Sequence, residues 1–327
     1  MTLPLLEVKD LQVEFKTYEG ELKVLNGVSL TVKHGEKVGL VGETGCGKSI
    51  TMQSIMGILP CPPGKITGGK VMFKGQSILR IVENELKGIR VRGISYIPQD
   101  PMSGLNPVFK IGTQVKDVIK FNRRDSERAN GKHIRETIMD AFKKVKLPDP
   151  ERISQNYPVQ LSGGMQQRVL IAMALVTNPE LLIADEPGTA LDVSIQDQIL
   201  ELLKELVLKE NVSILIITHN LGVVRTLADK VYVMYAGNIV EEGRTSDLFE
   251  DPRHPYTRGL LASIPKITGG GVAEGIRGRI PSYLNPPEGC RFYPRCDYAM
   301  SDCEKQRPLL FEIEQDHKVA CFLYKGE

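Results

Sequence analysis

The chain has 327 residues, of which 41% are apolar and 25% charged, with a formal net charge of +2. That length calls for one large domain with a smaller appendage, and the composition is ordinary for a globular protein. The balanced charge speaks against a nucleic-acid coat or an acidic tail, and no apolar run reaches the roughly 18 residues that a membrane-crossing helix needs. Glu7, Lys9 and Asp10 fall within the first ten residues, so the start does not read as a secretory signal. The chain is expected in the cytoplasm, reaching a membrane only by docking on partners.

Apolar and polar residues alternate through Val8, Leu11, Val13 and Phe15, and again through Val28, Leu30 and Val32. This is the period of half-buried strands, with 18–21 as the turn. Short, nearly continuous apolar runs follow at 36–42, 93–99, 179–187, 212–219 and 230–237. Such runs suit strands covered on both faces of a parallel sheet. Between them lie helical patterns. In 197–210, Ile199, Leu202, Leu203 and Leu206 share one face. The alternation predicts an α/β fold with right-handed crossovers. Residues 101–178 carry helical patterns, such as 132–147, and no convincing strand. The predicted organisation is a nucleotide-binding core from 1–100 and 179–245, a helical subdomain over 101–178, and a C-terminal extension over 246–327. A Gly-rich connection lies at 267–281.

Three segments carry chemistry. GETGCGKS (42–49) fits G-x-x-x-x-G-K-S between a predicted strand and a helix. Gly42, Gly45 and Gly47 let backbone N–H groups turn toward phosphates, Lys48 reaches the β- and γ-phosphates, and the Ser49 hydroxyl ligates Mg²⁺. The helix that follows points its positive end at the anion. Cys46 lies in the same field, which is expected to lower its pKa and raise its reactivity. LLIADEP (181–187) ends a buried strand in two carboxylates. Asp185 is placed to hold Mg²⁺, and Glu186 to act on the attacking water as general base. LSGGMQQR (161–168) sets Ser162, Gly163 and Gly164 before a helical pattern. It forms a second anion site of free N–H groups, a hydroxyl and a helix N-terminus.

The LSGG stretch resembles the signature of ABC ATPases, and the likeness covers essentially the whole chain. It implies an ABC-type P-loop ATPase with a mixed sheet, an inserted helical subdomain and a small metal-binding extension. It also implies a head-to-tail pair in which Ser162, Gly163 and Gly164 of one chain contact the γ-phosphate held by the other. Gln99 resembles the Q-loop glutamine that senses Mg²⁺, and Asp192 the D-loop contact across the dimer. His219 resembles the switch histidine on the γ-phosphate. Ile50 joins the loop residues that contact nucleotide. The adenine is expected on Phe15, with Tyr18 as the alternative.

Residues 97–107 and 251–265, with a four-cysteine tail, resemble the ATPases of dipeptide and oligopeptide importers. The resemblance implies an ATP-hydrolysing motor on the cytoplasmic face of the cell membrane. It would serve two transmembrane permease subunits, a second ABC ATPase (a paralogue or another copy) and, indirectly, an extracytoplasmic solute-binding protein. The alternative is a soluble ABC ATPase acting on nucleic acid or ribosomes. Such proteins resemble the core but usually add coiled coils, a second nucleotide domain or basic arms, and the charge of +2 leaves no electrostatic footprint for nucleic acid.

Cys290, Cys296, Cys303 and Cys321 are spaced C-x5-C-x6-C-x17-C. In a reducing compartment, clustered cysteines suggest metal before disulfides. Structural zinc sites usually include a pair separated by about two to four residues, which is absent here. A 4Fe-4S cluster takes four thiolates and tolerates wider gaps, and importers of the resembling kind can carry one there. The cluster is the expectation and Zn²⁺ the alternative.

Overall fold

Alternation at the N-terminus gives antiparallel strands. The computed structural model describes residues 3–79, 86, 88–90, 93–122, 131–264 and 275–325. In it Leu6–Lys16 pairs with Glu21–Val32, from Leu6↔Val32 to Lys16↔Glu21. The Thr17 N–H closes the turn on the Gly20 carbonyl at 2.9 Å. Gly64–Phe73 lines the other edge of Leu6–Lys16, and Gln76–Ser77 follows it. The Gly64–Phe73 strand was not expected from the sequence. Its lysines and glycines break the period of two, and only Gly64, Val71 and Phe73 are buried.

The chain forms two units, residues 1–81 with 216–327, and residues 82–215. In the first unit Lys37–Val41 runs parallel to Lys230–Tyr235, with Val38 opposite Lys230. Lys230–Tyr235 pairs antiparallel with Asn238–Arg244. The cysteine-rich tail then adds His317–Val319 and Phe311–Glu314 in antiparallel order, with Glu241 opposite Val319. The tail, which reads as loop in the sequence, is therefore tied into the same run of strands as Lys37–Val41. Its aromatic residues add a packed cluster. The rings of Tyr235 and Tyr256 lie 4.6 Å apart and those of Tyr235 and Phe292 5.0 Å apart, both edge to face.

In the second unit Ile94–Ile97 runs parallel to Leu181–Asp185, with Ile94 opposite Leu181. Around this pair stand the helices Ile111–Asn122, Gly131–Lys144, Gly163–Leu175 and Val193–Glu210. Val193–Glu210 buries Ile199, Leu202, Leu203 and Leu206, the face that the periodicity picks out. Ser213–Thr218 carries the chain from this unit back into the first. Parallel and antiparallel pairs together give the expected α/β class with mixed strands. Among the described residues no helix is long and apolar enough to cross a membrane. Of the Gly-rich connection, 267–274 lies outside the described residues.

One buried carboxylate joins the tail to this framework. Glu241 is 0% exposed. It accepts hydrogen bonds from the N–H groups of Arg253 (2.7 Å) and His254 (2.9 Å) and lies 2.9 Å from His317 Nε2. Burial alone would push its pKa up, but the His317 and backbone bonds outweigh it and hold the carboxylate below its ordinary value. The sign follows: its stabilisation is present above the unfolded-state pKa and is lost as pH falls through the lower folded-state value. Glu241→Gln should therefore weaken the docking of the tail by about 2 kcal/mol. Hydrogen exchange at the amides of His317–Val319 should speed up by roughly thirtyfold at neutral pH.

Candidate functional site

In the first unit, strand Lys37–Val41 feeds the loop, which feeds the helix Lys48–Met56. Gly42 has φ 155°, and a Cβ there would lie 2.1 Å from the Met234 carbonyl oxygen and 2.8 Å from Cys46 Sγ. Gly47, at φ 111°, precedes the helix, and a Cβ there would stand 2.8 Å from Leu25 Cδ2. No other residue type fits either place without moving backbone or core. Lys48 is 6% exposed. Its Nζ donates to the carbonyls of Gly42 (2.7 Å) and Glu43 (3.0 Å). A buried ammonium is thus fixed inside a glycine-rich turn at a helix N-terminus, the arrangement that binds phosphate. Ser49 is exposed and Ile50 half-buried.

Cys46 corrects an expectation. It is fully buried, and burial pushes its thiol up by more than the neighbouring Lys48 ammonium pulls it down. Sequence shows the positive field around this residue but not its desolvation, which is the larger effect.

Also in this unit, His219 follows Ser213–Thr218 and is exposed. Asn220 then caps the next helix by accepting from the Gly222 N–H at 2.9 Å. Phe15 is half-buried opposite Gly64, and Tyr18 is fully exposed.

The second unit groups the carboxylates with a glutamine and a tyrosine. Asp185 and Glu186 are both buried at the end of Leu181–Asp185. Glu186 adopts φ 46°, a left-handed conformation that re-aims its side chain. Gln99 Nε2 donates to Glu186 Oε2 at 2.8 Å. Tyr96 was missed in the sequence, where it reads as one more apolar position of a buried strand. Its hydroxyl lies 3.5 Å from Asp185 Oδ2, and burial together with that carboxylate pushes the phenol well above its ordinary value. It therefore stays protonated and can only donate toward Asp185.

The signature residues lie in the same unit. Ser162 caps Gly163–Leu175, its Oγ accepting from the Met165 N–H at 3.4 Å. Asp192 caps Val193–Glu210 by accepting from the Ile195 N–H at 3.0 Å. A Cβ at Gly163 would stand 2.9 Å from Leu191 Cδ2, and one at Gly164 2.7 Å from Ile195 Cγ2. The glycine pair lets the signature helix and the segment around Asp192 pack directly, so the two form one rigid piece.

The four tail cysteines are free thiols. Cys290 N–H donates to the Cys303 carbonyl at 2.7 Å. The Met300 N–H donates to Cys303 Sγ at 3.4 Å. Burial, helped by the charge of the other tail thiols, pushes Cys290 and Cys321 up to about 11. Among the described residues, no group of three or more His, Cys, Asp or Glu is placed to hold a metal ion.

The ABC transporter family profile matches residues 25–189, and that of the oligopeptide/dipeptide transporter C-terminal region matches 240–303. The oligopeptide transport ATP-binding protein OppD of Bacillus subtilis (strain 168) is 47% identical over 98% of this chain and 88% of its own length. The dipeptide transport ATP-binding protein DppD of the same strain is 45% identical over 97% of this chain and 94% of its own. Among solved structures, the ATP-binding cassette MJ0796, as a post-hydrolysis dimer with ADP and Pi, superposes with a TM-score of 0.64. It is 30% identical, covering 73% of this chain and 98% of that one. The chain therefore belongs to the ABC transporter ATP-binding family, in the group that carries the oligopeptide/dipeptide transporter C-terminal region.

Proposed function

We propose that the chain is the ATP-hydrolysing motor of an importer for dipeptides or oligopeptides. The observation that carries this reading is the near full-length likeness to OppD and DppD, extension included. That same C-terminal match favours transport over a soluble ATPase acting on nucleic acid or ribosomes.

Roles follow from chemistry. The N–H groups of Gly42, Gly45 and Gly47 and the Lys48 ammonium take the polyphosphate, with Ile50 beside it and Phe15 against the adenine. Ser49, Gln99 and Asp185 would hold Mg²⁺, which would supply positive charge to the polyphosphate. Glu186 orients the attacking water and takes its proton as the bond from the γ-phosphorus to the bridging oxygen breaks. The hydrogen bond from Gln99 holds the Glu186 carboxylate in one orientation. His219 steadies the γ-phosphate. Ser162, Gly163, Gly164 and Asp192 serve a second ABC ATPase, a copy or a paralogue, in a head-to-tail dimer. The dimeric state of the solved relative supports that pairing.

The permease contact is assigned to the second unit. There Pro98, Phe121, Leu170 and Met173 line an apolar groove, with Phe121 70% exposed. A permease subunit docked there, one of the two the transporter would hold, would place the chain at the cytoplasmic face of the membrane, with a solute-binding protein acting from the far side. Pro98 is next to Gln99, so docking and the carboxylate that Gln99 holds are linked along the chain.

For the tail, a 4Fe-4S cluster on Cys290, Cys296, Cys303 and Cys321 is the assignment. Its support is the resemblance of the extension to that of dipeptide and oligopeptide importers and the count of four cysteines, since the described residues do not gather the thiols into a metal site. Such a group would staple the segment rather than take part in hydrolysis.

Glu186→Gln should bind Mg-ATP normally and lose turnover by roughly 10²- to 10⁴-fold, about 3–5 kcal/mol of barrier. Near-normal ATPase activity would remove Glu186 from its role. Lys48→Ala should instead weaken nucleotide binding itself, as titration calorimetry with Mg-ATP would show. Anaerobically purified chain should be brown and hold about four irons. Colourless protein with one zinc would replace the cluster with Zn²⁺.

A further inference from the structure

The C-terminal extension reaches back onto the phosphate loop. Tyr256, fully buried in helix Pro255–Ala262, accepts the Glu43 N–H on its hydroxyl at 2.9 Å. The Tyr283 hydroxyl donates to the Gly45 carbonyl at 2.7 Å, while the Tyr283 carbonyl accepts the Lys23 N–H at 2.8 Å. Arg295 grips the Glu43 carboxylate with both terminal nitrogens, at 2.8 Å and 3.0 Å. The Arg295 side chain is 6% exposed. Its remaining donors reach the carbonyls of Arg277 (2.7 Å) and Ile276 (3.2 Å). Arg291 fastens the same stretch to the carbonyls of Ala236 (2.6 Å) and Lys23 (3.1 Å).

These contacts act on what a phosphate loop needs. It must present N–H groups and positive charge to the anion and keep its carbonyls engaged elsewhere. Glu43 is the one carboxylate in 42–49. Unpaired, it would repel a polyphosphate, and in a partly buried place salt screens that repulsion only weakly. The bidentate Arg295 fork neutralises it and fixes its direction. Tyr283 holds the Gly45 carbonyl, and Tyr256 takes the Glu43 N–H and fixes that peptide.

We infer that Arg295, Tyr283 and Tyr256 are positioning residues for the phosphate loop, so that the C-terminal extension sets the ATP affinity of its own chain. This rests on residues 42–49 being the ATP site.

The test measures Mg-ATP binding by calorimetry, and KM and kcat for hydrolysis, on the full chain. Arg295→Met should weaken ATP binding and raise KM roughly tenfold, the loss of one charge-assisted pair, with kcat nearly unchanged. Arg295→Lys should fall between. In the Arg295→Met background, Glu43→Gln should recover most of the affinity, because the repelling charge is gone; a merely structural role would give no recovery. Should Arg295→Met fail to fold, Tyr283→Phe carries the test, with ATP binding several-fold weaker. Wild-type affinity in Arg295→Met or in Tyr283→Phe overturns the inference, as does weakened binding that Glu43→Gln does not restore. Wild-type chain that binds no ATP instead overturns the assignment of the loop, and this inference with it.

Discussion

The loop at 42–47 is built on one close approach. Its backbone at Gly42 lies so near the Met234 carbonyl that a Cβ would stand 2.1 Å from that oxygen. The strand Lys230–Tyr235 therefore sets the path of the loop as firmly as the strand before it does. Lys48 closes the turn from inside by donating to Gly42 and Glu43. Because the neighbouring strand Asn238–Arg244 carries the tail strand His317–Val319, the ordering of the extension is continuous with that of the loop. Buried Glu241 and the ring cluster of Tyr235, Tyr256 and Phe292 keep that continuity rigid.

What the sequence made legible is local. The phosphate loop, the Asp185–Glu186 pair and the signature are contiguous, and each sits where a strand or helix period starts or stops. The buried strands and the helix Val193–Glu210 were legible because their apolar residues keep one period throughout. The Gly64–Phe73 strand was hidden by Gly68 and Gly69, which sit at a register shift against Gln12. His317–Val319 spans three residues, too few for any period to show. At Cys46 the motif displays charge but not burial, and burial is the larger effect.

The contacts of Arg295 and Tyr283 were beyond reach for a different reason. Arg295 and Glu43 stand 252 positions apart. An exposed-looking Arg in a Pro-rich tail gives no sign of its partner, and only the strand order brings it back to the loop. The tail thus has two ties to the nucleotide motif, one through paired strands and one through side chains. Arg291 and Arg295 lie in the stretch that begins at Cys290 and ends at Cys296. A group bound by those cysteines would hold both arginines in place, which gives the cysteine cluster a physical route to the loop without any part in hydrolysis.

ATP hydrolysis by this chain drives peptide uptake. The most direct measurement of that coupling is uptake of a labelled oligopeptide by vesicles that hold this chain with its two permeases, a second ATPase and a solute-binding protein, with Mg-ATP on the ATPase side. Accumulation against a gradient that stops when ATP is replaced by a non-hydrolysable analogue is the predicted result. Equal uptake without ATP, or ATP hydrolysis that never yields accumulation of any peptide, would contradict it.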